Sequence, residues 1–459
     1  MTTTEAMFGT EVDELRAVFA TGRTRSYDWR VAQLRGIERL CLHEEAAIGE
    51  ALAADLGRNA LDTYLGDIAV TVTEAKDARK HLRSWMRKVR VRTPFGQLPA
   101  RAWYQYEPLG VALIIGPWNY PVGLVLGPLV AAVAAGNCAV IKPSEVAPAT
   151  SALVAHLVPK YLDATAIRVV EGGADTTQRL LAQGFDHAFF TGGTEVGRKI
   201  MAAAATTLTP VTLELGGKSP VIVLRDADID VTARRLAWVK LLNSGQTCIA
   251  PDYVLADSTI VDALTTAIGG YLAEFRSGVI DPALPIVNDK QYHRIVDLID
   301  SSSGRIVFGG AHNDGARRIE ATVIADPGVD DAVMTEEIFG PILPIRSFDH
   351  LDEAVGFVNS RPKPLGLYVF SADRREAARV VDRMTSGGAV INHVAMHYTV
   401  PRLPFGGVGQ SGIGAYHGQW GFQTFSHRRA VLSKRLRPDP TFCYPPQSGL
   451  ASRILRKVF

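Results

Sequence analysis

The sequence predicts an α/β protein with two doubly wound α/β domains and a β-hairpin oligomerisation arm. Three observations predict it. Short apolar strand patterns alternate with helical stretches over residues 110–201, and a second alternation follows Cys248. Before both lie ninety residues of helical periodicity that end in a hairpin-like segment. Strand and helix in alternation imply right-handed crossovers and a mostly parallel sheet.

In chain order, Leu65, Ile68, Val72, Ala75, Leu82 and Met86 recur at threes and fours or their sum, the stripe of an amphipathic helix. Residues 89–106 change character: Val-Arg-Val-Arg-Thr, a Pro94-Phe-Gly turn, then Ala102-Trp-Tyr-Gln-Tyr, a hairpin with exposed aromatics suited to pairing with another subunit. In the first block, strands are expected at 111–115, 138–141, 167–170 and 187–190, with helices at 122–135, 149–158 and 177–183. In the second, strands are expected at 253–256, 305–308, 367–370 and 389–391. Residues 108–141 carry no charge over 34 positions. Pro117, Pro121, Pro128, Asn119 and Asn137 break that run too often for a membrane helix, so it reads as strand, turn, buried helix and strand.

Composition excludes several classes. At 459 residues, 47% hydrophobic and 21% charged, the chain has ample material for large cores. Its 49 basic and 47 acidic side chains give a net charge of +2, so nothing global asks for nucleic acid. Charge is uneven at one end, where eight Lys and Arg follow from Arg428 onward against Asp439 alone. Cys41, Cys138, Cys248 and Cys443 match no zinc or CxxC spacing, and no metal site is expected. The first residues lack a basic start and an apolar core, so no signal peptide is read and a reducing cytoplasm is expected.

Cys248, in Ser244-Gly-Gln-Thr-Cys248, follows Glu214 of Glu214-Leu-Gly-Gly-Lys218 by 34 positions. A thiol can attack a carbonyl once deprotonated, and a carboxylate can take a proton from water. Pro117-Trp-Asn-Tyr-Pro121 sets the amide of Asn119 at an apolar strand end, the kind of donor an oxyanion requires. Cys138 reads as core, while Cys41 in a helix and Cys443 in a Pro-rich end lack catalytic company.

Phe189-Phe-Thr-Gly-Gly-Thr-Glu-Val-Gly197 is a strand end, a glycine turn and a helix start, whose amides favour a pyrophosphate. It is not GxGxxG, and alone it also suits an ordinary strand-to-helix turn. Lys142 and Glu145, at another strand end, suit ribose hydroxyls, and Glu145 would repel a 2′-phosphate, favouring NAD over NADP. Glu337-Ile-Phe339-Gly-Pro offers a carboxylate and an aromatic to a ribose and a nicotinamide face. Pro404-Phe-Gly-Gly-Val-Gly-Gln-Ser-Gly412 is a glycine-rich loop expected to pack at an active site.

Taken together, PWNYP, KPSE, FTGGTEVG, ELGGK, GQTC, EEIFGP and PFGGVGQSG, in this order and spacing, resemble the aldehyde dehydrogenases from about residue 10 to about residue 447. Cys-Ile-Ala-Pro-Asp-Tyr253 and the segment from Thr424 to Pro446 are similar to the class 3 branch. The resemblance implies a Rossmann-like NAD(P)-binding domain (1–92 and 107–216), a catalytic domain (217–416), a bridging and oligomerisation arm (93–106 and 425–440) and a tail (441–459). It implies NAD, with NADP tolerated, a homodimer, and aldehydes of medium-chain or aromatic type oxidised to acids through a cysteine thiohemiacetal and a thioester. Carried over by motif, Cys248 is the nucleophile, Glu214 the base and Asn119 the oxyanion donor. Lys142 and Glu145 face the adenine ribose, Gly192, Gly193, Thr194 and Gly197 form the phosphate turn, and Glu337 and Phe339 meet the nicotinamide half. Tyr120 is a candidate substrate contact, with Tyr64, His393 and His397 behind it. Gly193 departs from the serine usual in that turn. The branch's hydrophobic C-terminal anchor is expected to be absent, the basic end at 453–459 making at most weak surface contact with a membrane. Transfer of the acyl group to coenzyme A, or a catalytically silent scaffold, are the alternatives; Glu214 speaks against the first, and intact Cys248, Glu214 and Asn119 against the second.

Overall fold

A computed structural model describes residues 3–276 and 284–458. Among the described residues, two mostly parallel sheets, a three-stranded antiparallel sheet and a two-stranded antiparallel ribbon, His312–Asn313 with Arg318–Ile319, organise the chain. The first large sheet runs Gly412–Ile413, Val211–Glu214, His187–Thr191, Val111–Ile115, Cys138–Lys142, Ile167–Val169. Its three central strands are buried at every position because helices cover both faces. Gly412–Ile413 adds antiparallel to Val211–Glu214, so the end of the glycine-rich loop lies beside Glu214. Asn137 ties the turn between two of these strands: its side-chain oxygen accepts from Gly110 N at 2.9 Å, and its amide donates to Phe425 O at 2.8 Å.

The second large sheet runs Arg305–Phe308, Thr322–Ala325, Ile342–Phe348, Tyr253–Asp257, Pro220–Val223, Gly366–Phe370, Gly388–Ile391, parallel except for its first strand. Every strand expected in the two blocks is present within a residue at each end. Val211–Glu214, Pro220–Val223, Thr322–Ala325 and Ile342–Phe348 are additions, too short or too broken by proline to stand out in the sequence. The helix Gly123–Ala135 is buried almost throughout. Among the described residues no helix is long and apolar enough to cross a membrane.

The hairpin is part of a three-stranded sheet: Val89–Val91, Ala100–Pro108 and Ser426–Lys434 pair antiparallel. Its aromatics are not the exposed feature expected. Trp103, Tyr104 and Tyr106 are half-buried, Tyr106 lying edge-on to Phe422 at 5.5 Å, while Phe95 at the turn is 78% exposed. A second correction concerns the N-terminal stripe. Ile68, Val72, Ala75 and Leu82 are buried, but Leu65 is exposed, because Tyr64–Ile68 forms a π-helical turn that rotates it off the face.

Candidate active site

After the helix Ile229–Leu241, Asn243 and Ser244 both take a φ of 52° and Gly245 one of 71°. Three consecutive left-handed residues reverse the chain and bring Cys248 back toward the first sheet; two are not glycine, so the turn is strained and must be held. Gly245 is required, since a Cβ there would lie 2.2 Å from Gly340 O. The holding groups are buried amides. Asn243 Nδ2 donates to Asn119 O and Gln246 O, both at 3.1 Å; Gln246 Nε2 donates to Asn243 O at 3.0 Å, and Gln246 Oε1 accepts from Val287 N at 3.0 Å.

Cys248 lies half-buried in this loop, ahead of the strand Tyr253–Asp257. Burial pushes its thiol up to about 12, and the nearby carboxyls of Glu337 and Glu214 add to the rise. Glu214, at the end of Val211–Glu214, is buried. Among the described residues neither of its oxygens has a hydrogen-bond partner, and burial alone raises its carboxyl well above the ordinary range. The first sheet thus delivers the acid, the loop before a strand of the second delivers the thiol, and the two groups feel each other's charge. Asn119 is buried on the turn after Val111–Ile115, where its Nδ2 donates to Gln246 O at 3.1 Å. The three residues singled out for chemistry therefore share one locality.

The glycine-rich loop packs against it: Leu215 N donates to Ser411 O at 3.1 Å. Glu337 lies over Gly216, where any Cβ would meet a carboxylate oxygen at 2.2 Å. Burial lifts the Glu337 carboxyl to about 8, with Asp252 raising it further against the Gly217 amide and Lys218. Phe339, at a φ of 48°, meets Trp118 edge-on at 5.3 Å.

On the other side of the first sheet's strand ends, Lys142 Nζ donates to Glu145 Oε2 at 2.8 Å and to Gly172 O at 2.5 Å. Burial alone would raise the Glu145 carboxyl; the lysine and a backbone amide reverse that and lower it. The helix Thr194–Ala205 begins directly after Gly193. A Cβ on Gly192 or Gly197 would collide with Phe190 or Leu215, at 2.5 and 2.6 Å, whereas Gly193 faces open space. A crowded turn with one open glycine, in front of a helix N-terminus, fits a pyrophosphate, and the anchored Lys142–Glu145 pair fits a ribose.

Tyr120 is half-buried, with its hydroxyl 2.8 Å from Thr247 Oγ1 and the Arg58 guanidinium 4.2 Å from its ring centre. Tyr64 is 37% exposed, His393 stands edge-on to Trp238, and His397 is buried against Phe405. A cavity of about 200 Å³ opens elsewhere, lined by Leu65, Val70, Glu74, Tyr398, Tyr416 and His417 among others. Tyr398 and Tyr416 are both within electrostatic reach of the Cys248 thiol. These wall residues were missed in the sequence, as were Arg58, Asp67 and Asn243. The available signal was an acid, Asp67 or Glu74, beside the apolar positions Ile68 and Ala75 of a helical stripe.

Comparison with known proteins agrees with this geometry. The model of the aldehyde dehydrogenase family matches residues 3–431. The 4,4'-diaponeurosporen-aldehyde dehydrogenase of Staphylococcus aureus is 44% identical over 437 residues, 95% of each chain. The dimeric NADP-preferring aldehyde dehydrogenase of Rattus norvegicus is 43% identical, covering 96% of this chain and 98% of its own. A solved structure described as the substrate-bound state of Staphylococcus aureus AldH superposes with a TM-score of 0.94 at 42% identity, covering 98% of this chain and 99% of that one. The chain belongs to the aldehyde dehydrogenase family and is an NAD(P)-dependent oxidoreductase acting on aldehydes.

Proposed function

We propose that Cys248, Glu214 and Asn119 carry the reaction. The observation that supports this most directly is Glu214: a buried carboxyl with both oxygens unpartnered, near a thiol on a strained loop. Cys248, having lost its proton, adds as the thiolate through sulfur to the aldehyde carbon, the carbonyl π bond breaking toward oxygen, and the Asn119 amide and the Cys248 N–H stabilise the oxygen that gains charge. When bound, the nicotinamide accepts the hydride that the adduct loses. Glu214 then takes a proton from water as that water attacks the thioester, and the acid departs. Burial raises the affinity of Glu214 for protons, which suits a group that accepts one from water.

The residues Lys142, Glu145, Gly192, Gly193, Thr194 and Gly197 hold the adenosine and pyrophosphate, with Glu337 and Phe339 at the nicotinamide end. The carboxylate of Glu145 favours NAD over NADP. We divide the chain into a cofactor-binding part (1–92 and 107–216), a catalytic part (217–416), an arm (93–106 and 425–440) and a tail (441–459). Most strands of the first large sheet, of the second and of the three-stranded sheet support the first three, while Gly412–Ile413 of the catalytic part joins the first sheet and Val89–Val91 of the cofactor-binding part joins the three-stranded one. Exposed Phe95 and Leu98 make that arm a surface for pairing two copies, and a cytoplasmic homodimer is the state we assign. The aldehyde's apolar portion takes the cavity walled by Tyr398 and Tyr416. The test is single turnover. Cys248→Ala abolishes NADH formation, whereas Glu214→Gln gives one burst of NADH and accumulates an acyl adduct of Cys248 visible by mass spectrometry. Full turnover by Cys248→Ala sinks the assignment.

A further inference from the structure

The one ion pair whose two side chains are both almost fully closed to solvent among the described residues joins Arg58 and Asp67, at 2.6 Å. Burying two charges is unfavourable unless further hydrogen bonds compensate, and such a pair often adds nothing to stability relative to apolar residues of similar size. Its partners indicate another use. Arg58 spreads its donors over three elements: Nη1 to Asp67 Oδ2, Nη2 to the carbonyl of Asn119, and Nε to Asn243 Oδ1 at 3.1 Å. Its planar face covers the ring of Tyr120. The other oxygen of Asp67 accepts from Val122 N at 3.0 Å and Gly123 N at 2.7 Å, at the start of the helix Gly123–Ala135. Asp67 itself sits in the π-helical turn Tyr64–Ile68, a distortion that aims it inward.

We infer that Arg58 and Asp67 are positioning residues for the oxyanion site, an inference that rests on the role assigned to Asn119. Asp67 fixes the guanidinium to the helix that follows the Asn119 turn. The guanidinium then clamps the Asn119 peptide and the Asn243 side chain together. Asn243 in turn holds both Asn119 O and Gln246 O, two residues before Cys248. One planar fork therefore sets the distance between the amide that receives the oxyanion and the loop that delivers the sulfur. Only a rigid, bidentate-capable cation does this, since a point charge cannot hold three acceptors in a plane. The left-handed pair Asn243 and Ser244 is held in its strained conformation by the same clamp.

The test compares Arg58→Met/Asp67→Asn, in which the pair is neutral and the two helix amides keep an acceptor, with Asn119→Ala and with the triple variant. Readouts are the NADH burst rate, steady-state kcat and KM for aldehyde and NAD, and the melting temperature. Positioning predicts a fall of about 10- to 100-fold in burst rate and kcat, with KM for NAD and the melting temperature close to wild type. It also predicts less than about a twofold further fall when Asn119 is already alanine, because the two changes act through one contact. If the neutral pair reacts at the wild-type rate while Asn119→Ala is slow, the positioning role is overturned and the oxyanion reading stands. If Asn119→Ala itself reacts at the wild-type rate, the oxyanion reading falls and takes this inference with it. Should the neutral pair fail to fold, Arg58→Lys keeps the buried charge without the fork; a several-fold slower burst supports the clamp, and an unchanged burst overturns it.

Discussion

Glu74 Oε1 lies 3.2 Å from His417 Nδ1 with both residues buried, yet the two are not a charged pair. Burial pushes the imidazole down to about 3, with His397 adding to the fall. Burial raises the Glu74 carboxyl to about 7, Asp77 adding to that and the Gly418 amide opposing it. Near neutrality the histidine is uncharged and the acid is half-titrated, on the wall of the cavity assigned to the aldehyde.

This pair predicts opposed effects of pH on stability. The folded chain binds more protons than the unfolded one at Glu74 between pH 4.5 and about 7, so that term loses stability as pH rises through the window. At His417 the unfolded chain binds more between about 3 and 6.5, so stability there grows as pH rises. The two slopes oppose each other from 4.5 to 6.5. Glu74→Gln is expected to unmask the histidine slope, and His417→Gln the acid slope. The Glu74 term is at most about 3 kcal/mol. Chemical denaturation at intervals from pH 4 to 8 checks this; parallel profiles for wild type and both variants would count against it.

Alkylation of Cys248 in the protein without cofactor is expected to be slow at pH 7 and to rise about tenfold per pH unit, because only the thiolate reacts. Glu337→Gln should change little below pH 8, where that acid is still largely protonated, and speed labelling above it by removing a negative neighbour. Iodoacetamide kinetics followed by peptide mass spectrometry gives the answer.

Asn119→Ala should lower kcat by about 10²- to 10³-fold while KM for the cofactor stays near wild type, since in the proposed role the amide acts on charge that appears only in the adduct. Initial rates with one good aldehyde suffice, and a loss confined to KM would contradict the role.

If Glu145 meets the adenine ribose as proposed, Glu145→Gln removes a negative charge there and should raise kcat/KM for NADP by about tenfold relative to NAD. Gly193→Ser has open space to enter and should tighten the cofactor without altering the fold. Titration by intrinsic fluorescence separates the two effects, and an unchanged NAD to NADP ratio for Glu145→Gln would remove Glu145 from cofactor choice.

Local chemistry made much of this legible in sequence. Val111–Ile115, Cys138–Lys142 and His187–Thr191 announce themselves because strands covered on both faces must be apolar at every position. Cys248, Glu214 and Asn119 stand out because each lies in a short glycine- or proline-bearing motif, GQTC, ELGGK and PWNYP, and the motifs occur together in one order. What sequence could not decide was anything that depends on distant segments meeting. Arg58 and Asp67 look like ordinary surface charges until the fold seals them against Asn119 and Asn243, 61 and 185 positions away from Arg58. Leu65 left its stripe through a π-turn that periodicity cannot foresee, and Tyr398, Tyr416 and His417 became a cavity wall only because the chain returns late to the N-terminal helices. Apolar patterning is written residue by residue, whereas proton affinity and hydrogen-bond partnership belong to the assembled interior.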